Sequence, residues 1–289
     1  MATTAANVYS KIVNGKMLAR KRLLDKFNSA FDVDFGAAAG AVVVQMWDTW
    51  STATPAAGTL ATHKAANQLF SLTLTSTETT MALLPHQRQA SFARPEALLT
   101  GATQAADALL SDMQAQAIAS LKASTNGLSI SLPTGYIDFV IPSAATDPDM
   151  VNNVVASVQR GLEYVRANTD ADDSDLAIIT TPNAAGRFKA AARRSELAAW
   201  LEKLPGGRYS FDGVEIFPVS NGASFGGASN EVMFILHKRG FALKFSEPYV
   251  HGGGWVPGPD VVDRWTLVAP YAYGVTETEF IAEIVNPAT

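Results

Sequence analysis

From Asp263 to Val285 the chain reads DRWTLVAPYAYGVTETEFIAEIV. Its aromatic and β-branched content predicts one long strand or two, with an interruption expected at Pro270. The segments before it have the same texture. GVEIFPVS at 213–220, EVMFILHK at 231–238 and GFALKFS at 240–246 all read as strands. Farther back, LAIIT at 176–180 is a short buried strand between two helices. The first helix opens after Asp147-Pro148 and carries Val151, Val154, Val155, Val158, Leu162 and Val165 on one side. The second starts at Thr181-Pro182 and is predicted to run through Phe188, Ala192, Trp200 and Leu204, where Pro205-Gly206-Gly207 ends it.

Upstream of this α/β half lies the clearest helix of the chain. Pro95 stands at its start, and Leu98, Ala102, Ala105, Leu109, Met113, Ala117 and Leu121 form a stripe at three- and four-residue steps. Asn126-Gly127 is the expected stop. Before it, GAAAGAVVVQMWD at 36–48 suggests a strand. Ser and Thr crowd the stretch from Thr49 to Thr80, and within it QLFSLTLTST alternates as a strand does. The middle, ATPAAGTLATHKAAN, has turn residues and no period. So long a structureless stretch is uncommon inside a domain. It reads instead as a projecting two-stranded arm, whose limbs of ~12 residues reach ~40 Å at ~3.3 Å per residue. An isolated hairpin is marginal in water, so such an arm needs a neighbour to lie on. Residues 7–31 read as an amphipathic helix, with Val8, Ile12, Leu18, Leu23, Leu24 and Phe27 near helical spacing and Gly15 interrupting the pattern.

The 289 residues include no cysteine, which excludes disulfides, Cys-ligated zinc, iron–sulfur clusters and thiol catalysis. Charged residues make up 17% of the chain, low against the usual ~25%. That implies either a polar neutral surface or surface hidden in partners. The net charge of −5 is a sum of unlike parts. Residues 1–28 hold six cations (Lys11, Lys16, Arg20, Lys21, Arg22, Lys26) against Asp25, for +5, and the remainder carries −10. A basic arm on an acidic body suggests an anionic partner or a solvated helix end. The longest apolar run, Phe35 to Val44, is too short to span a bilayer, and MATTAANVYSK lacks the apolar stretch of a secretion signal.

Candidate chemistry is sparse. Gly222-Ala223-Ser224-Phe225-Gly226 matches the hydrolase elbow G-x-S-x-G, which needs a helix after the Ser, whereas a strand follows here. Asp170, Asp172, Asp173 and Asp175 begin like a calcium loop, but Asp175 and Thr181 stand where Gly and Glu belong. His63, His86, His237 and His251 are scattered and read as loop or sheet residues. Gly252-Gly253-Gly254 lacks the last glycine of a dinucleotide fingerprint, with Pro257 in its place. Gly15-Lys16 is no P-loop, since Ser10 and Met17 occupy its defining positions. No metal site, cofactor site or catalytic set is predicted, and the chain reads as a non-enzyme.

Taken in order, these elements resemble a tailed-bacteriophage major capsid protein of the HK97-like fold. ANVYSKIVNGKMLARKRLLDKF resembles the amino-terminal arm, and the region from about Trp50 to Leu74 the extended loop. PEALLTGATQAADALLSDMQAQAIASLKAS resembles the spine helix, and DRWTLVAPYAYGVTETEFIAEIV the closing strands. The resemblance implies an α+β chain in five parts: an arm at 1–35, the extended loop and its base strands at 36–80, a peripheral domain with the spine helix at 81–145, an axial α/β domain at 146–262, and closing strands at 263–289 that return to the peripheral domain.

It implies a function without bond chemistry. Copies would form pentamers and hexamers, then a closed icosahedral shell around double-stranded DNA. Loop residues Trp50, Leu60, His63, Lys64, Leu69 and Phe70 would lie over one neighbour. The arm, with Lys11, Lys16, Arg20, Lys21, Arg22 and Lys26, would clasp another or face DNA, which it would bind without sequence preference. Other implied partners are a separate scaffolding protein and a portal protein. The implied location is the virion, and the host cytoplasm during assembly. Some relatives cross-link a loop lysine to a neighbour's asparagine beside an acid, for which Lys64, Asn286 and Glu283 are the nominees. Deleting residues 1–28 is expected to spoil assembly and leave the body folded. Two readings compete: an encapsulin-like cellular nanocompartment shell, whose members usually begin with a short helix, and an α/β hydrolase built on Ser224.

Overall fold

The computed structural model describes residues 2–31, 33–35, 40–47, 67–83, 95–123, 128–131, 148–168, 173–193, 198–220, 232–256 and 262–285. The helices are α1 (Ala2–Arg20), α2 (Pro95–Ala123), α3 (Pro148–Asn168) and α4 (Pro182–Ala192). The strands of the amino-terminal half are β1 (Gly40–Trp47), β2 (Asn67–Leu83) and β3 (Leu128–Ser131). Then come β4 (Leu176–Thr180), β5 (Leu201–Leu204), β6 (Arg208–Phe211), β7 (Val214–Pro218) and β8 (Val232–His237). The chain closes with β9 (Phe241–Phe245), β10 (Tyr249–Val256), β11 (Val262–Val275) and β12 (Ile281–Val285). No helix among the described residues is long and apolar enough to cross a membrane.

The strands form two sheets. One runs β1-β2-β11-β10, with β9 also on β11; the other runs β3-β12-β8-β4-β7-β6-β5. Sheet membership divides the chain differently from the linear boundaries expected. β9 and β10, inside the expected axial segment 146–262, pair with β11 in the five-stranded sheet. β12, inside the expected closing segment 263–289, pairs with β3 and β8 in the seven-stranded one. The chain from Phe241 to Val285 thus weaves between both sheets.

The central strands β4 and β8 of the seven-stranded sheet are buried on both faces, which explains why LAIIT is apolar up to its closing Thr180. Leu176 and Ile178 face a core made with Val155, Val158, Leu162 and Val165 of α3 and with Phe188 of α4. Ala177 and Ile179 face the opposite core, shared with Leu109, Met113, Ala117 and Leu121 of α2. Each Val, Leu or Ile side chain among these contributes about 1.5–3 kcal/mol when fully buried. From Ala102 to Leu121 the α2 stripe falls where its spacing predicts, with Ala105 partly buried. The helix has 29 residues, which makes it about 43 Å long at ~1.5 Å per residue. At the start of α4, Thr181 Oγ1 accepts from the Ala184 amide at 3.2 Å. Pro182 follows in the first turn, where its missing N–H costs nothing.

Two expectations are corrected. The strand does not break at Pro270; β11 runs through it from Val262 to Val275, and the break comes at 276–280. Pro270 sits where β11 changes partners, since β10 pairs only up to Val268 and β9 only from Tyr271. Its carbonyl accepts from the Ser246 amide on that same side, so the missing N–H faces a gap where no ladder bond is needed. Second, α4 ends at Ala192, and residues 201–204 form a strand rather than more helix. Gly206 and Gly207 take φ of 79° and 75° in the turn after it. Glycine has no Cβ to oppose that conformation, and Leu204 pairs with Arg208 across the turn. The Gly252–Gly254 run is strand: β10 passes through it with a bulge between His251 and Gly253.

Candidate assembly surfaces

Helix α1 lies along α2. Tyr9, Val13 and Met17, at steps of four, are buried against the core, and Leu23, Leu24 and Phe27 extend that contact. Leu23, Leu24 and Phe27 are thus buried as expected, whereas within α1 the buried face is Tyr9, Val13 and Met17 and not Val8, Ile12 and Leu18. Val8 is 53% and Leu18 49% exposed, and Ile12 is only partly buried. Gly15 stays within the helix, which ends at Arg20 instead of continuing to residue 31. Beyond it, Asn28 bridges to Ala242, with its amide donating to the Phe241 carbonyl and its carbonyl accepting from the Leu243 amide. Phe31 packs on Leu72, Leu74, Ala242 and Ala272, on the outer face of the five-stranded sheet.

The arm's cations are mostly engaged within their own chain. Arg20 pairs with Asp107 of α2, Lys21 with Asp25, and Arg22 with Glu215 of β7 at 2.7 Å. Lys26 donates to the Ser174 carbonyl. Lys11 is exposed and Lys16 half-buried, and neither has an ion-pair partner among the described residues. Deleting residues 1–28 would remove the core side chains Val13, Met17 and Phe27 and uncover the α2 and sheet residues they pack against, so the expectation that the body stays folded without them is withdrawn.

The described part of the segment expected to project as an arm is a paired ladder. β1 and β2 are antiparallel from Gly40↔Leu74 to Trp47↔Asn67. The eight residues of β1 reach roughly 26 Å at ~3.3 Å per residue. Of the nominated loop residues, Leu69 pairs with Gln45 and Phe70 with Val44, while Trp50, Leu60, His63 and Lys64 lie outside the described residues. Val43, on the edge strand β1, is 64% exposed. β2 continues past the limb to Leu83 and pairs with β11 from Thr73 onward, so the arm is rooted in the sheet by one continuous strand.

The other nominees divide as follows. Ser224 and its motif, Asp170, Asp172, His63, His86, Lys64 and Asn286 lie outside the described residues. Glu283 is bound to Lys122 of α2. Asp173 accepts from Arg166 Nε at 2.9 Å, which makes it part of an internal ion network. His251 is exposed on β10, and His237 is buried at the end of β8. Among the described residues no group of three or more His, Asp or Glu could hold a metal ion.

Two groupings escaped the sequence reading. Arg166, at the end of α3, bonds Asp173, the Asp212 carboxylate and the Asp212 carbonyl. Burial works against its charge, but the two aspartates outweigh that and raise its pKa. Asp212 and Gly213 both have positive φ, 50° and 78°. They form a two-residue turn between Phe211 and Val214. Asp-Gly between apolar residues is the hairpin signal that would have found it. The second grouping centres on Glu215, 18% exposed, which accepts from both Arg22 and Arg208 Nη1.

No protein-family model matches the sequence, and no curated protein does. Solved structures do match in fold. A virus-like particle from Pyrococcus furiosus matches with a TM-score of 0.59 and 9% identity, over 98% of this chain and 99% of that one. The mature capsid of bacteriophage PhiM1 gives 0.51 and 13% identity, over 86% and 82%. The capsid of cyanophage P-SCSP1u gives 0.51 and 12% identity, over 88% and 85%. The chain shares its fold with the subunits of these particles. More narrowly, this is the HK97-like α+β fold, here with the long helix α2, the antiparallel β1–β2 pair and the seven-stranded sheet.

Proposed function

We propose that this chain is a major capsid protein that self-assembles into the closed icosahedral shell enclosing a phage double-stranded DNA genome. The observation that carries the reading is the extent of the fold match, which takes in nearly all of this chain and nearly all of the particle subunit it resembles. The chain acts by repeated association and does no bond chemistry. Its main partners are further copies of itself, arranged as pentamers and hexamers, so many weak contacts add up in one closed object. A scaffolding protein, a portal protein and non-specifically held DNA are the other proposed partners. The proposed location is the virion, preceded by the host cytoplasm.

In this reading the β1–β2 arm lies over an adjacent subunit, with Trp50, Leu60, His63, Lys64, Leu69 and Phe70 as its contacts. Exposed Val43 is the described residue best placed to test that. Val43→Asp should leave the urea midpoint of the isolated subunit unchanged and reduce the yield of closed particles at least several-fold, since burying an unpaired charge in an interface is costly. Normal particle yield from that variant would remove the arm from the interface. Lys11 and Lys16 are the arm cations proposed to face another subunit or DNA, because the other four already have partners within the chain.

One observation favours a second reading, a cellular nanocompartment shell. The amino-terminal segment is a helix docked on its own chain and not a free strand reaching outward. The contents of purified particles separate the two: nuclease-protected DNA supports the virion, and a co-purifying enzyme in a DNA-free particle supports the compartment.

A further inference from the structure

A cleft of about 380 Å³ opens between the end of α1 and the β5–β6 hairpin. Three separate parts of the chain line it with cations: Arg20 and Arg22 from the arm, Lys189 from α4 and Arg208 from β6. Arg193 joins them through Tyr209, whose hydroxyl accepts from Arg193 Nη2 at 3.2 Å. Among the described residues, the carboxylates paired with these five cations are Glu215 and Asp107. The local balance is +3 on a chain whose total is −5.

The ion pairs leave donors over. Glu215 takes one terminal nitrogen from Arg22 and one from Arg208, and Arg208 Nε goes to the Pro205 carbonyl at 2.8 Å. Each guanidinium has five donors, so both keep N–H groups for another acceptor. Lys189 sits 4.5 Å from the centre of the Tyr209 ring and has no carboxylate partner among the described residues. The Gly206–Gly207 turn adds no side chain to the rim, and a Cβ built on Gly207 would meet nothing within 4 Å. Cations gathered this closely repel one another unless an anion lies between them.

We propose that this cleft binds a phosphate group, bridging the amino-terminal arm to the axial hairpin. A planar carboxylate takes donors in its own plane, and Glu215 already takes one nitrogen from each of two guanidiniums. A tetrahedral phosphate offers oxygens in several directions and can take donors from the arm, α4 and β6 together. The group can belong to a nucleic-acid backbone or be free phosphate. The site is built within one chain, so it does not rest on the shell reading, and it is tested on the unassembled full-length subunit.

The test is titration calorimetry with inorganic phosphate and with a short oligothymidylate, at ionic strength matched with chloride. Lys189→Gln is the variant, because Lys189 holds no carboxylate of the fold, and its urea midpoint should equal that of the parent protein. It should bind about tenfold more weakly, the effect of one lost charge-assisted bond. Lys203→Gln, an exposed cation on β5 outside the cleft, should bind as the parent does. Oligonucleotide binding that falls with salt and is lost in Lys189→Gln identifies a backbone phosphate. Binding of inorganic phosphate alone, equally lost, identifies a free anion. The proposal is overturned if neither probe binds above the chloride control, if Lys189→Gln binds like the parent, or if an oligoglutamate of equal charge binds as tightly as the oligonucleotide.

Discussion

Arg22 Nη2 lies 2.7 Å from Glu215 Oε1, a link between residues 193 positions apart in the chain. It joins the segment after α1 to β7 of the seven-stranded sheet, and Arg208 approaches the same carboxylate at 3.0 Å. Glu215→Gln should therefore loosen the docked arm before it affects the rest. Because Arg22 is half exposed, the expected loss is only about 1 kcal/mol. Hydrogen exchange should show it as faster exchange in α1 with β4 unchanged. Equal acceleration in both would mean that Glu215 supports the whole fold and not the arm.

Arg166 is the stronger anchor. It closes the α3 end, the turn before β4 and the Asp212–Gly213 hairpin with one side chain. Arg166→Ala should cost about 2–3 kcal/mol in urea unfolding, since two partly buried carboxylates lose their partner. Arg166→Lys should recover little, because a single ammonium cannot reproduce the guanidinium's divergent bonds. Full recovery by lysine would reduce the network to simple charge.

His237 gives the fold a pH dependence of known sign. Burial lowers its pKa from the usual 6.5, Asp175 opposes that, and Arg239 and Lys238 add to it. The folded state thus holds the neutral ring while the unfolded chain protonates first. Stability is full above pH 6.5 and is lost as pH falls from there through the folded-state value. His237→Gln should flatten the urea midpoint across that range relative to the parent. An unchanged slope would assign the loss to other groups.

Gly161 lets α3 approach β8 closely. A Cβ there would stand 2.5 Å from Ile235 Cδ1, the end of a flexible side chain. Gly161→Leu should destabilise by about 1–3 kcal/mol through overpacking. Gly161→Ala combined with Ile235→Val should approach parental stability, because the shorter side chain makes room and alanine favours helix by about 1 kcal/mol. If the pair adds without recovery, the two residues do not share that space.

How far the sequence spoke for itself follows from the range of the forces involved. The α2 stripe and the LAIIT strand were legible because each reports a local period or a fully apolar run. The face of α1 was not. Val8-Ile12 and Tyr9-Val13 both sit at helical spacing, and only α2 decides between them. The strand at 201–204 was read as helix because its alternation is weak over four residues, and its partner strand across Gly206–Gly207 went unseen. Pro270 signals a break locally, and only the change of partner strand shows why none occurs. The cationic cleft collects residues from positions 20 to 219, so no window of sequence could contain it.

The central claim is that this chain builds closed shells. Electron microscopy of the purified full-length protein, imaged after expression without partners and again with a candidate scaffolding protein, tests it most directly. The account predicts uniform closed particles with icosahedral symmetry, whose subunits show the docked α1 helix and the β1–β2 arm laid across a neighbour. A stable monodisperse monomer under both conditions would contradict it.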